Sequence, residues 1–170
     1  MEARVIDTHS RSAAATGGWR ADVRVAAVPI MVTVITAAGI ALRVYGLTKG
    51  LWFDEAYSFF IARQSLWDVP RLLRLYDTHP PLYYALLHLW MALVGRGEAA
   101  MRVPSLVAGV LTIPLTFLFA RRLAGDAVGV LAAAFVATSP YLIAASQEAR
   151  MYAVLTVFAL GIMPYISASI

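Results

Sequence analysis

Residues 103–126 read VPSLVAGVLTIPLTFLFARRLAGD, and this stretch decides the fold class. Positions 103–119 carry no charged side chain, whereas Arg121 and Arg122 follow directly after them. A long uncharged apolar run that ends in paired arginines is typical of a transmembrane helix whose basic end faces the cytoplasm. The stretch therefore predicts a span over Val103–Phe119 and a tight cytoplasmic loop over 120–126.

The composition of the whole chain extends this interpretation. The 170 residues are 61% hydrophobic and only 14% charged, against about 25% charged in soluble domains. The charges cluster between apolar runs, so we expect an all-α polytopic integral membrane protein. The absence of cysteine excludes disulfides and thiolate metal sites. The arginines form no basic stripe, which argues against nucleic-acid binding.

Working outward from this span, the sequence divides into a tail and one transmembrane domain. Residues 1–24 are polar and predict a disordered cytoplasmic tail. Residues 25–170 predict the membrane domain, with Arg43 near the outer end of the first span, where its side chain can reach the headgroups. We expect about four spans, near 25–45, 103–119, 128–145 and 151–168.

Residues 46–101 predict a long first extracytoplasmic loop. Interleaved aromatic and charged residues suit the membrane interface and favour two short helices, near Glu55–Gln64 and Trp67–Tyr76. The apolar run Pro80–Gly95 is short for a span and is compatible with either a short crossing or an interfacial helix. If 46 lies outside and 120–126 inside, one crossing must separate them. We therefore interpret Pro80–Gly95 as a segment that does not cross.

Asp54 and Glu55, in LWFDEAYS, are the first candidate site. A carboxylate beside Trp52 and Phe53 is partly desolvated, which suits a general base. Acidic residues also cap helices, so the residues alone leave catalysis and capping open.

Three further polar clusters are candidates, although for the first two of them the residues alone favour a structural role. Asp77 and His79 precede two prolines and suit either a phosphate or carboxylate contact or a plain turn. Arg102 suits an interface anchor as well as a ligand. In the last cluster, Gln147 pairs with Arg150 and Glu148 with Tyr152 at helical spacing, and the alternative is an ordinary charged loop. By the parity argument all four clusters lie on the outer face, which suits a membrane-anchored donor and an acceptor from outside.

Five motifs occur in one order along the chain: WFDEAYS, THPPLYY, MRVPSL, RRLAGDAVGVLAAAF and SPYLIAASQEARMYA. Over about residues 42–160 the chain resembles the N-terminal part of the GT-C glycosyltransferases. It is most similar to the bacterial branch of the protein O-mannosyltransferase superfamily, which includes the lipopolysaccharide sugar and aminoarabinose transferases. Such enzymes are much longer, so the resemblance implies an N-terminal portion of a truncated or fragmentary enzyme.

The resemblance also implies a role for each candidate. Asp54 is the expected catalytic base, with Glu55 orienting it or the acceptor. The expected substrate-binding residues include His79, beside Asp77, near the donor phosphate, and Arg102 and Arg150 at the leaving phosphate. Glu148 and Tyr152, with Gln147 in the same motif, would shape the sugar pocket. No cofactor is implied with certainty, although some relatives need a divalent metal.

The implied activity is an inverting sugar transfer from a polyprenyl-phosphate carrier. The acceptor would be a protein hydroxyl, a lipid or a cell-envelope glycan outside the plasma membrane, with membrane lipids as further partners. The alternative is a non-catalytic membrane protein that keeps this architecture and binds lipid carriers or partner helices. A transporter fragment is disfavoured because the ionisable residues lie at span ends rather than at the midplane.

Overall fold

The computed structural model describes residues 27–76 and 79–167, and within these ranges the chain is helical and has no strand. The 1–24 tail therefore lies outside the described residues. In chain order the helices are α1 (Ala27–Val44), α2 (Phe53–Ala62), α3 (Val69–Tyr76), α4 (Pro81–Val94), α5 (Glu98–Ala124), α6 (Asp126–Thr138), α7 (Pro140–Ser146) and α8 (Tyr152–Ser167).

The long apolar helices pack side by side, with α5 at the centre, against α4, α6, α7 and α8. Ile113 and Phe117 of α5 meet Ala133 and Ala137 of α6, and α1 adds apolar residues such as Val32 to the same cluster. By length and composition α1 and α5 are able to cross a membrane, and a third span results if α6 and α7 count as one. The protein is therefore a membrane protein, as its composition predicts.

The second predicted span is longer than its apolar core suggests. The predicted range Val103–Phe119 lies inside α5, which runs from Glu98 to Ala124. Arg121 and Arg122 form its last turn, where cations favour the negative end of the helix dipole. Gly125, with φ 86°, ends α5, and α6 begins at the next residue. The expected loop 120–126 is thus reduced to one glycine between two helices.

The third predicted span is not a single straight helix. The chain bends by 61° between α6 and α7, so the predicted span over 128–145 is divided into two helices that count as a span only if they are taken together. Pro140 is the cause, because it has no N–H to continue the helix. Ser139 starts α7 instead, accepting a hydrogen bond from the Leu142 N–H at 3.5 Å. The fourth predicted span falls on α8, which at 16 residues is shorter than the helices that count as candidate spans.

At two of the prolines, a distant side chain supplies the donor that a helix carbonyl has lost. Pro104 leaves Ala100 O unpaired within α5, and the Trp90 indole N–H donates to it at 2.8 Å. Pro140 leaves Val136 O unpaired, and the Arg43 guanidinium donates to it at 3.1 Å. Arg43 is fully buried, so the expectation that it reaches the headgroups is wrong.

The three short helices of the first loop gather at one end of the bundle. The two helices predicted in this loop are present as α2 and α3, with starts two residues away from those predicted. Ile61 of α2, Leu73 of α3 and Tyr84 of α4 form one buried cluster. The His88 imidazole of α4 also hydrogen-bonds to Ala62 O, at the end of α2, at 2.8 Å.

Helix α4 is tied to the first turns of α5. Tyr83, near its start, bonds to Ser105, and Trp90, near its end, bonds to Ala100. Both partners lie in the first eight residues of the 27-residue α5. A helix that crossed beside α5 would have partners along most of its length, so this placement favours the interpretation that α4 stays at one end.

Cysteine labelling tests this topology in a chain that has no cysteine of its own. We expect Lys49→Cys and Arg96→Cys, both at exposed positions, to react with a membrane-impermeant maleimide from the same side of the membrane. Ala124→Cys, at the other end of α5, should react only from the opposite side. Labelling of positions 49 and 96 from opposite sides would mean that α4 crosses.

Candidate active site at one end of the bundle

A buried ion pair joins α2 to α5 at the end of the bundle where the first loop packs. Arg102 Nε donates to Glu55 Oε1 at 2.7 Å, and Arg102 Nη2 donates to Glu55 Oε2 at 2.6 Å. Both side chains are almost completely buried. This two-bond geometry is the strongest that an arginine and a carboxylate form.

The remaining N–H groups of Arg102 bind the backbone that connects α1 to α2. Arg102 Nη1 donates to Leu47 O and Lys49 O, both at 2.6 Å, and Nη2 donates to Gly50 O at 3.2 Å. An arginine side chain has five N–H groups, and here each has an acceptor. Arg102 therefore holds the α1–α2 connection and has no N–H left for a phosphate in this conformation.

Glu55 accepts two further hydrogen bonds from backbone N–H groups. Its carboxylate takes the Trp52 N–H at 3.2 Å, capping α2, and the Ala149 N–H at 2.9 Å. Burial by itself raises the pKa of Glu55, but the bonds from Arg102, Ala149 and Trp52 outweigh it and leave the pKa below its ordinary value. The carboxyl therefore stays ionised at neutral pH. The capping interpretation is correct for Glu55.

The segment between α7 and α8, residues 147–151, is a bent loop (the 147–151 loop below). The pairing of its side chains along a helix face was therefore wrong, because α7 ends at Ser146. The buried Ser105 hydroxyl donates to Arg150 O at 2.9 Å and also bonds to the Tyr83 hydroxyl at 3.1 Å. With the Ala149 N–H on Glu55, these bonds fix the loop from two sides.

Asp54 and Arg150 face each other where this loop meets α2. Arg150 Nη2 lies 3.7 Å from Asp54 Oδ2, and Nη1 donates to Asp54 O at 3.4 Å. The two side chains differ in exposure, at 67% for Asp54 and 8% for Arg150. Arg150 Nε is buried and has no hydrogen-bond partner within the described chain. The arrangement combines a solvent-accessible carboxylate with a largely buried cation whose Nε lacks a hydrogen-bond partner within the described chain.

The other residues of the last motif do not belong to the Asp54–Arg150 pair. Gln147 Nε2 donates to Leu42 O and Arg43 O, both at 3.1 Å, and so caps the end of α1. The half-buried Glu148 has a raised pKa because of burial, and the negative charge of Glu55 adds to the effect. Tyr152 lies with its ring 5.8 Å from the Arg150 guanidinium.

The second predicted cluster is only partly described. His79 is half-buried at the bend before α4, while Asp77 lies outside the described residues. Within the ranges 27–76 and 79–167, no three His, Asp or Glu side chains are grouped as metal ligands would be.

Grooves large enough for a ligand lie at the opposite end, between α1, α5 and α6. Their apolar walls include Val28 and Phe117, and their charged residues Arg121 and Asp126 bind each other at 2.7 Å. None of the predicted site residues lines them. The predicted residues that the structure brings together, Asp54, Glu55, Arg102 and Arg150, lie instead at the α2–α5 end.

Sequence reasoning missed several groups that build this site. The Ala149 N–H is a backbone donor and leaves no signal in a sequence. Tyr83 and Ser105 lie inside quoted motifs, THPPLYY and MRVPSL, but nothing local indicates that they bond to each other. The partner of Arg102 was missed for the same reason, because 47 residues separate it from Glu55.

The structure is a helical membrane protein with a carboxylate and a cation close together at one end of its bundle. A comparison with known families identifies the class of protein more closely. The model of the dolichyl-phosphate-mannose-protein mannosyltransferase family matches residues 78–168, slightly more than half of the chain. The match includes Arg102, Arg150 and all of α4 to α7, while Asp54 and Glu55 precede it. No curated protein and no solved structure matches the chain.

The chain therefore belongs to the dolichyl-phosphate-mannose-protein mannosyltransferase family. This family consists of membrane glycosyltransferases of the GT-C type that use polyprenyl-phosphate sugar donors. The resemblance noted from the motifs is thus confirmed at the level of the family, without a finer branch.

The buried ion pair predicts a large loss of stability when one partner is removed. Arg102→Met leaves the Glu55 carboxylate buried without its cation, and we expect the free energy of unfolding to fall by about 3–5 kcal/mol. Adding Glu55→Gln should recover part of this loss, because the unpaired charge is then gone. Thermal unfolding in detergent, followed by tryptophan fluorescence, measures both.

Arg121→Met is the matched control, because the Arg121–Asp126 pair is about half exposed. Its loss should cost no more than about 1 kcal/mol. Equal effects of Arg102→Met and Arg121→Met would contradict a stabilising role for the buried pair.

Proposed function

We propose that this protein transfers a sugar from a polyprenyl-phosphate carrier to a hydroxyl acceptor outside the plasma membrane, with inversion at the anomeric carbon. The proposal rests on family membership and on one observation above all: an accessible carboxylate, Asp54, lies 3.7 Å from a buried cation, Arg150. A base for the acceptor and a cation for the leaving phosphate are the two groups that this reaction needs.

The reaction is a single displacement. The acceptor oxygen forms a bond to the anomeric carbon on the face opposite the phosphate, while the bond from that carbon to the phosphate oxygen breaks. Asp54 takes the proton of the acceptor hydroxyl, and the polyprenyl phosphate leaves with the bonding electrons. Arg150 stabilises the negative charge that develops on the phosphate.

The environments of the two adjacent acids support Asp54 as the base. Glu55 accepts four hydrogen bonds from Arg102 and the backbone and has no access to a substrate. Asp54 is 67% exposed and has only the longer contact with Arg150. Glu55 is therefore a positioning residue, in agreement with the orienting role implied by the resemblance.

Arg150 is better placed than Arg102 to bind the phosphate. Every N–H of Arg102 already has an acceptor, whereas Arg150 Nε has none among the described residues. A sugar ring does not fit in the present gap between Asp54 and Arg150. The donor must therefore separate them, and the exposed Asp54 side chain turns toward the acceptor while Arg150 stays in place.

The remaining candidates are assigned from their surroundings or from the resemblance. Tyr152 and Glu148 flank Arg150 and shape the sugar pocket, whereas His79 and Asp77 are given a contact with the donor because the resemblance implies it. Gln147 supports the 147–151 loop through its bonds to α1. The N-terminus lies in the cytoplasm and the site outside, the orientation that the Arg121–Arg122 pair favours.

Asp54→Asn tests the base directly. The amide keeps the size of the side chain but does not take a proton, so we expect transfer from a radiolabelled polyprenyl-phosphate sugar in membranes to fall by about 10²–10⁴-fold. Asp68→Asn, at an exposed acid in the same loop, should retain full activity. Full activity of Asp54→Asn would rule out the assignment, and an inactive wild type would favour the non-catalytic alternative.

Arg150→Lys tests the phosphate ligand. Lysine keeps the charge but lacks the planar fork, and we expect the KM for the donor to rise by roughly tenfold with little change in protein amount. Arg96→Lys, at an exposed position, serves as the control and should leave the KM unchanged. A kcat/KM for the donor unaffected by Arg150→Lys would contradict this role.

A further inference from the structure

Arg43 is a buried charge that the proposed mechanism does not use. It lies in the last turn of α1 and is completely buried. Its hydrogen bonds within the described chain all go to uncharged oxygens: Ser146 Oγ at 3.2 Å, Gly39 O at 3.1 Å, Ala137 O at 3.0 Å and Val136 O at 3.1 Å. A buried cation is costly, so this arrangement needs an explanation.

Two of these oxygens are the ones that the helix break leaves without donors. In a straight helix Val136 O would accept from the N–H of position 140, which is proline here, and Ala137 O from position 141. The 61° bend removes both bonds. An unpaired carbonyl in an apolar bundle costs several kcal/mol. Arg43 replaces both missing donors from another helix.

The shape of arginine explains why no other side chain does this. The guanidinium group presents several N–H groups in one plane. A single arginine is therefore able to donate to acceptors on three helices, α1, α6 and α7. Two neighbouring glycines leave room for the side chains of this cluster. A Cβ at Gly109 of α5 would overlap the Ser146 hydroxyl, and one at Gly39 would overlap the Ile113 side chain. The cluster is thus built for a bent α6–α7 pair.

The break leads directly to the candidate active site. Helix α7 has only seven residues, and its last residue, Ser146, is itself an acceptor for Arg43. The 147–151 loop follows at once and carries the Ala149 N–H and the Arg150 guanidinium. Because α7 is short, the angle at Ser139–Pro140 directs the chain toward the place where Glu55 and Ser105 bind this loop.

We propose that Arg43 is a positioning residue: by binding the carbonyls freed at the Ser139–Pro140 break, it holds the bend that places the 147–151 loop against Asp54 and Glu55. The part that concerns catalysis rests on the proposed function. The part that concerns the bend does not, so the two are tested by separate measurements.

A double-mutant cycle of Arg43→Met and Pro140→Ala tests the bend. Arg43→Met should lower the unfolding temperature in detergent, because Val136 O and Ala137 O lose their donors. Pro140→Ala restores an N–H at position 140, so a straightened helix pairs both carbonyls by itself. The double variant should therefore be more stable than Arg43→Met alone. Thr36→Val, which removes a hydroxyl bond to Val32 O within α1, is the matched control and should not be rescued by Pro140→Ala.

Cross-linking reports the loop position without any need for activity. A Cβ at Gly46 would overlap the Gln147 side chain, so Gly46→Cys with Gln147→Cys should form a disulfide under mild oxidation in this cysteine-free chain. We expect the cross-link to be lost in the Arg43→Met/Pro140→Ala background, although that protein is stable. Transfer activity of the same background, without the two cysteines, should fall by between about 10- and 100-fold.

Each result decides one part of the proposal. Additive effects on stability in the cycle would overturn the pairing of Arg43 with the break. A cross-link retained in the stable double variant would overturn control of the loop, and full activity with the cross-link lost would overturn positioning for catalysis. An inactive wild type would refute the proposed function alone, since stability and cross-linking would still decide the bend.

Discussion

The buried ion pair between Glu55 and Arg102 is the interaction on which this end of the molecule depends. Neither charge is tolerable there alone, and each uses its remaining hydrogen-bonding capacity on backbone. Arg102 thereby fixes the connection between α1 and α2, while Glu55 fixes the 147–151 loop through Ala149. Three segments that are distant in sequence meet at one pair of side chains, and the position of Asp54 relative to Arg150 follows from their meeting.

The same pair explains how two adjacent acids come to have different roles. Successive residues of a helix point about 100° apart, so when Glu55 of α2 faces the core, Asp54 must face outward. Ionic and backbone bonds stabilise the ionised form of Glu55 and lower its pKa. Asp54 stays accessible at the edge of the site. One turn of helix thus supplies a buried structural carboxylate and an accessible one, and neither role requires a special residue type.

Much of this architecture was predictable from the sequence because it depends on local patterns. Apolar runs predicted α1 and α5, the mixed aromatic and charged loop predicted α2 and α3, and the motif order predicted the family. Contacts between distant residues were not predictable in this way. Ala149 lies 94 residues from Glu55, and Ser146 lies 103 from Arg43. In a sequence, an arginine at a helix end looks the same whether it binds lipid headgroups, a ligand or a carbonyl.

Proline reduces this ambiguity, because its effect on the chain is predictable. A proline inside an apolar helix leaves the carbonyl four residues earlier without a donor, and lipid offers no replacement. For some of these prolines a side chain elsewhere in the bundle supplies the replacement donor. Here Pro104 is matched by Trp90 and Pro140 by Arg43. In these two cases, a residue that looks like an interface anchor in the sequence donates a hydrogen bond that the helix backbone has lost. Some polar side chains neither compensate for a proline nor belong to the buried ion pair. Asp54 and Arg150 are among them, and these are the residues to examine for catalysis.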